Sequence, residues 1–334
     1  MKAVAAKYLG ALIFVAGLGL IAYLVFRFGL EPIGRAWTAL GWHGLAIVVA
    51  AHLPVAAILG AAWWVIGHGT AHARLPKFIW GRLVRDSAAE VLPFSQVGGY
   101  VLGARALSLS GVDGFTAAIT TVVDLIIELA AKLPYIVIGL FLLAWLKPES
   151  DLFVPVAGGV LVSVALLAAA IMLKDRTRGV LERMAVRLGA RWPALGLGDE
   201  KKTLQTVGRV FENGHGAVSG FALHLAAWLL GALELWIALH LMGQDVSFAE
   251  AIVIDSLFTG LRTLAFFVPG AVGIQEAGYV LLCGMFGIGA PVAIAFSFIR
   301  RARDFLIGGP VLLLWQTQEG RRSLVRRTRP AVTP

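Results

Sequence analysis

The run FTAAITTVVDLIIELAAKLPYIVIGLFLLAWL, residues 115–146, decides what kind of protein this is. Only Asp124, Glu128 and Lys132 interrupt its apolar character. The hydrocarbon core of a bilayer takes roughly 20 residues of helix, so a run this long crosses it while tilted or kinked, here at Pro134. The three charged residues recur every four positions, which puts them on one helical face, with Glu128 before Lys132 in the favourable order. Each would cost about 2.5 to 3.5 kcal/mol facing lipid, so that face is expected to look into a cavity or onto other charges. Two readings stay open: a functional polar stripe, or an ion-pair ladder that locks helices together.

The rest of the chain is of the same kind. Its 334 residues are 58% hydrophobic and 15% charged, too little polar surface for a water-soluble globule. The expected class is all-α: a polytopic membrane protein forming a single integral membrane domain. It would have about six full spans plus two re-entrant or broken-helix pairs. The spans are expected at 8–30, 42–66, 115–146, 152–173, 221–242 and 291–315. They fall into a first half, 1–173, and a second, 213–320, separated by a basic loop, 174–212, and followed by a basic tail, 321–334.

The net charge of +9 lies mainly in these connecting segments. Lys and Arg mark the cytoplasmic side, so the loop and both termini are expected there, and nucleic acid is not an expected partner. Residues 180–188 mix apolar and basic positions at helical spacing, as an amphipathic surface helix or a solvated linker would. The single cysteine, Cys283, excludes an intrachain disulfide, a thiolate zinc cluster and an iron–sulfur site. His68 and His72 have i, i+4 spacing but no nearby carboxylate to complete a metal set. With no Walker loop and no dinucleotide fingerprint, no cofactor is expected.

Two segments, 78–111 and 246–289, fail as simple spans because charges, prolines and glycines punctuate them. Two half-helices fit each better than one. Counting crossings from a cytoplasmic Met1, the first enters and leaves from the cytoplasmic side and the second from the opposite side. Gly99-Tyr100-Val101-Leu102 matches Gly278-Tyr279-Val280-Leu281, each after a Pro and a Gln, as an inverted repeat would. Broken membrane helices free backbone groups that can bind polar ligands, or that nearby side chains merely cap. The candidate substrate-binding residues are therefore Glu90, Gln96 and Arg105 in the first segment and Arg262, Gln275 and Glu276 in the second. To these are added Asp124, Glu128 and Lys132, and, in the last span, Arg300, Arg303 and Asp304. Arg300, Arg303 and Asp304 share a helical face, whereas Arg301 points about 100° away. Guanidinium groups there suit a lipid phosphate, or a carboxylate of the protein itself.

Four stretches carry a family resemblance: Glu90-Val-Leu-Pro-Phe-Ser-Gln-Val-Gly-Gly-Tyr100, Thr121-Val-Val-Asp124, Phe267-Val-Pro-Gly-Ala-Val-Gly-Ile-Gln-Glu276 and Arg300-Arg-Ala-Arg-Asp304. Together they resemble the flippase-like transmembrane domain of the lysylphosphatidylglycerol synthase superfamily. Within it, Leu-Pro-Phe-Ser-Gln is most similar to the bacterial hopanoid-biosynthesis-associated membrane proteins. The resemblance implies handling of membrane lipids, anionic or hopanoid-type, in the bacterial inner membrane, with lipid-synthesis or transport proteins as possible partners. The synthases carry a large soluble aminoacyl-transfer domain after the membrane part. Because the sequence stops shortly after Trp315-Gln-Thr-Gln318, lysine transfer is not expected of it.

The leading expectation is a lipid translocator or transport component rather than an enzyme. One alternative is an intramembrane enzyme acting on a polyprenyl-type lipid phosphate, although Ala-Val-Gly follows Pro269-Gly270 where phosphate attack would need Ser-Arg-Ser. The other is a non-catalytic scaffold for lipid-synthesis enzymes.

Overall fold

The computed structural model describes residues 15, 18–71, 73–92, 96–148, 200–265 and 268–328, with scattered positions between 158 and 183. His72, most of the span expected at 152–173, nearly all of the basic loop before residue 200 and the end of the tail lie outside the described residues. So do Leu-Pro-Phe-Ser-Gln's central three positions, 93–95, and Phe267.

Every described element is helical, as the periodicity predicts. In chain order they are α1 (Leu18–Phe28), α2 (Leu30–Ala71), α3 (Leu75–Val91), α4 (Gln96–Leu109) and α5 (Gly114–Leu146). Then come α6 (Glu200–Glu212), α7 (Gly214–Leu241), α8 (Phe248–Leu264), α9 (Ile274–Gly284) and α10 (Ala290–Thr328). Helices α2, α5 and α7 are long and apolar enough to cross a membrane. The boundary expected between the first two spans is resolved more finely. Gly29 at φ 85° ends α1, and Gly41 at φ 62° interrupts α2 just before Trp42, a backbone region that favours glycine.

Each segment that fails as a span is a broken pair, α3 with α4 and α8 with α9. Glycine allows the arms to meet: a Cβ on Gly99 would lie 2.6 Å from the Arg85 carbonyl oxygen, and one on Gly278 would lie 2.9 Å from Leu261 Cδ2. Second arms pack on the long helix that follows them, α4 on α5 and α9 on α10. First arms cross over, α3 onto α10 and α8 onto α5. The two halves are thus interleaved, and the largest hydrophobic cluster joins α2, α7, α8, α9 and α10 through residues such as Val48, Leu235, Ile254, Tyr279 and Phe296.

Candidate functional site

Charged side chains on the interleaved helices form two buried clusters. In the first, Arg85 of α3 donates through Nη1 to Asp124 Oδ2 and through Nη2 to Glu128 Oε2, both at 2.6 Å. Arg82, one helical turn earlier, donates to the same Glu128 oxygen at 3.0 Å and to Asp86 Oδ2 at 2.7 Å. Lys132 Nζ lies 3.2 Å from Glu128 Oε1. The i, i+4 stripe of α5 therefore meets a matching pair of arginines on α3, and three cations balance Asp86, Asp124 and Glu128. His224 of α7 closes the deep end, its Nε2 3.0 Å from Asp124 Oδ1, while its Nδ1 is buried with no partner among the described residues.

Asp124, Glu128 and His224 bring ligand atoms within 4.8 Å of one another, a spacing a metal ion could use. Their chemistry argues otherwise. Arg82, Arg85 and Lys132 already occupy the carboxylate oxygens, and a divalent cation there would face three positive charges at hydrogen-bond range.

The second cluster has the charges exchanged between elements. Here the broken pair's first arm brings the acid, Asp255 of α8, and the long helix α10 brings the arginines. Asp255 accepts from Tyr135 at 2.9 Å and from Arg300 at 3.3 Å, and Arg300 also bonds the Tyr279 hydroxyl. Arg303 pairs with Glu234 of α7 and donates to Asp304 Oδ1 through Nε and Nη2, at 3.0 and 2.6 Å. Glu234's other oxygen lies 2.8 Å from His52 Nδ1 on α2. The repeated tyrosines do parallel work: Arg85 sits 4.0 Å over the Tyr100 ring, and Arg300 engages Tyr279.

The breaks themselves meet. In Pro269–Ala271, a single turn of 3₁₀ helix, Gly270 takes φ 58°, and Gly273 takes φ 81° just before α9. Ala271 is held at φ 48°, a region a residue with a Cβ rarely adopts. Glu276 caps α9 by accepting from the Gly273 N–H at 2.9 Å. Arg301 clamps that carboxylate from α10 at 2.7 Å and bonds the Gly270 carbonyl at 3.1 Å. The turn abuts the end of α3, where Glu90 pairs with Arg262 of α8.

Between the clusters lies a cavity of about 670 Å³, lined by α2, α3, α4, α5, α7, α8 and α10. Eight of the candidate residues line it: Glu90, Gln96, Glu128, Lys132, Arg262, Arg300, Arg303 and Asp304. Asp124 sits behind the wall, holding Arg85. Gln275 and Glu276 are elsewhere. They serve the second break, Gln275 by donating to the Ser297 carbonyl at 3.1 Å and its hydroxyl at 2.9 Å. Arg105 is also away from the cavity, pairing near the surface with Glu319 at 2.6 Å.

The reading from sequence left Arg82, Arg85, Asp86, His52, Glu234 and Asp255 out of the candidate set. Read from sequence, Arg85, Asp86 and Asp255 are only interruptions in apolar segments, and Glu234 is either a proton relay with His224 or satisfied polar packing; the rule that intramembrane charges seek partners is the signal that could have recruited them. The wall is not charged throughout: the apolar side chains Val97 and Val101 of α4 and Leu129 of α5 line the cavity and are solvent-exposed.

An all-helical membrane protein with a cavity lined by both charged and apolar side chains between two broken-helix pairs is the class these features define. The chain belongs to the family of the lysylphosphatidylglycerol synthase transmembrane region, whose model matches residues 8–311. No curated protein and no solved structure matches the chain.

Proposed function

We propose that the protein is a lipid translocator, or a component of lipid transport, in the bacterial inner membrane. The observation that carries this reading is the cavity, whose lining joins buried charges to the exposed apolar residues Val97, Val101 and Leu129; in this reading that side, between α4 and α5, is the entrance facing the bilayer. A lipid fits that division. Its head group would exchange water for Arg300, Lys132 and the neighbouring carboxylates, while its tails stay in the bilayer beside α4 and α5. Moving a head group through hydrocarbon is costly because nothing there replaces its hydration, and preformed ion pairs supply replacement partners.

In this reading the two broken pairs are inverted repeats entering from opposite faces, with both termini in the cytoplasm. Their crossed packing, α3 on α10 and α8 on α5, supports that symmetry. The Glu90–Arg262 pair joins the breaks near the middle, where a change in the relative tilt of the halves would open one face and close the other. The substrate is an anionic or hopanoid-type lipid, and the protein works beside lipid-synthesis or transport proteins without covalent chemistry of its own.

The test is lipid mass spectrometry on separated inner and outer membranes from cells with and without the gene. Redistribution of a lipid made in normal amount is the expected result. A missing or altered lipid species with unchanged placement would instead identify an enzyme or its scaffold.

A further inference from the structure

Each half of the molecule presents a histidine to a carboxylate, and the two pairs differ. His224 is fully buried, and its partner Asp124 belongs to a cluster whose three cations match three carboxylates. The side chain of His52 is 24% exposed and lines the cavity, and its partner Glu234 belongs to a cluster that does not balance. There, Glu234, Asp255 and Asp304 face only Arg300 and Arg303. Among the described residues no other cation reaches these carboxylates. Arg301 is bound to Glu276, Arg262 to Glu90, and Lys132 to Glu128. Counted with every carboxylate ionised, the second cluster carries one negative charge in excess within the membrane, where an uncompensated charge is expensive. His52 is the group placed to offset it, 2.8 Å from Glu234 and in contact with the cavity.

We infer that His52 and Glu234 form a proton-binding site coupled to the cavity, which takes up an anionic head group together with a proton. The inference rests on the lipid reading above and adds its substrate class and its coupling ion. A proton that reaches the cavity binds the imidazole, and the cluster becomes neutral. Arg300 and Lys132 then attract an anionic head group with no surplus carboxylate opposing it. When the proton leaves, the returning negative charge repels the head group.

The elements packed on α2 supply no competing charge. Arg82 and Asp86 of α3 neutralise each other, as do Lys132 and Glu128 of α5. Helix α7 brings Glu234 itself and His224, which is held on Asp124, and α10 brings Arg300, held on Asp255, with Arg303 and Asp304 bonded to each other. The charged group of α6 that lines a pocket with α2 is Arg209, and that separate pocket is at the His68 end of the helix.

The probe is dioctanoyl-phosphatidylglycerol, titrated calorimetrically into the purified full chain in uncharged detergent at pH 8. Buffers of different ionisation enthalpy report the protons exchanged. The wild type is expected to take up about one proton per lipid bound, as linkage requires when binding favours the protonated form. His52→Gln, which keeps a polar contact with Glu234 but cannot become cationic, should bind roughly tenfold more weakly and take up none. His52→Lys, with a permanent charge, should bind at least as tightly as wild type, again with no uptake. Wild-type binding without proton uptake, or uptake that persists in His52→Gln, overturns the coupling and leaves the lipid reading standing. Proton release on binding dodecyltrimethylammonium, with phosphatidylglycerol ignored, overturns it in favour of a cation site. Absence of phosphatidylglycerol binding in every variant removes the anionic-lipid reading and this inference with it.

Discussion

The two charged clusters are built from the same parts and finished differently. On the α3–α5 side every charge has a partner, Asp124 and His224 are sealed, and the group reads as a fastening between helices. On the α8–α10 side the acids outnumber the arginines, and both His52 and Arg300 reach the cavity. Tyr100 and Tyr279 show the same divergence within the repeated Gly-Tyr-Val-Leu. The first lines the cavity beneath Arg85, and the second is wholly buried between Phe258 and Phe296. The α3–α5 side thus serves mainly for holding, with Lys132 at the cavity wall, and the α8–α10 side is left more open to binding. Balanced buried charges resist change because removing one strands another, whereas an unbalanced, accessible set responds to whatever ligand or proton arrives.

The comparison breaks most sharply at Arg85. Replacing it with Ala leaves Asp124 and Glu128 short of a buried partner, a change expected to cost about 3–5 kcal/mol. Thermal unfolding in detergent should show a large fall in Tm or loss of folded protein. A wild-type Tm would mean the first cluster is not a fastening.

Arg300→Ala tests the other half. Tyr135 still donates to Asp255, so destabilisation should be smaller, on the order of 1–3 kcal/mol, while lipid binding falls by at least about tenfold. If the variant unfolded as readily as Arg85→Ala, the division of labour would be wrong.

Gly99→Ala against Gly278→Ala sharpens the framework. At Gly99 the new methyl meets a backbone oxygen and the Ala89 Cβ, neither of which can turn aside, whereas at Gly278 it meets the end of a leucine. Gly99→Ala should lose about 1–3 kcal/mol and Gly278→Ala less, as paired unfolding curves would reveal. Equal losses would show that both hairpins are packed alike. The smallest effect is expected at Arg105→Ala, where a half-exposed pair with Glu319 contributes about 0–1 kcal/mol and lies away from the cavity. Loss of lipid exchange in that variant would require a second site.

Sequence made the helices legible because long apolar runs and four-residue spacing are local properties. The second break was legible too, since Gly270, Gly273 and Glu276 write a turn and its cap into seven residues. Half of each ion pair was visible in the same way: Asp124, Glu128 and Lys132 announce one face. Their partners did not follow, because Arg82 and Arg85 come from another helix, some forty residues earlier, and no periodicity links the two. His52 and Glu234 were least legible of all. They are 182 residues apart, Glu234 reads from sequence as a partner of His224 in its own span, and only the packing of α2 on α7 pairs it with His52. For Gln275 and Glu276 the sequence leaves two readings open, substrate passage and local capping, and both side chains are engaged in building the break.

The central claim is that lipid passes through this cavity by way of the entrance between α4 and α5. Leaflet exchange of a fluorescently tagged phosphatidylglycerol in vesicles containing the purified protein measures that directly, before and after Val101→Trp narrows the entrance. Exchange should be fast with the wild type and at least roughly tenfold slower with Val101→Trp, at unchanged Tm. No exchange by the wild type, or equal exchange by the narrowed variant, would contradict it.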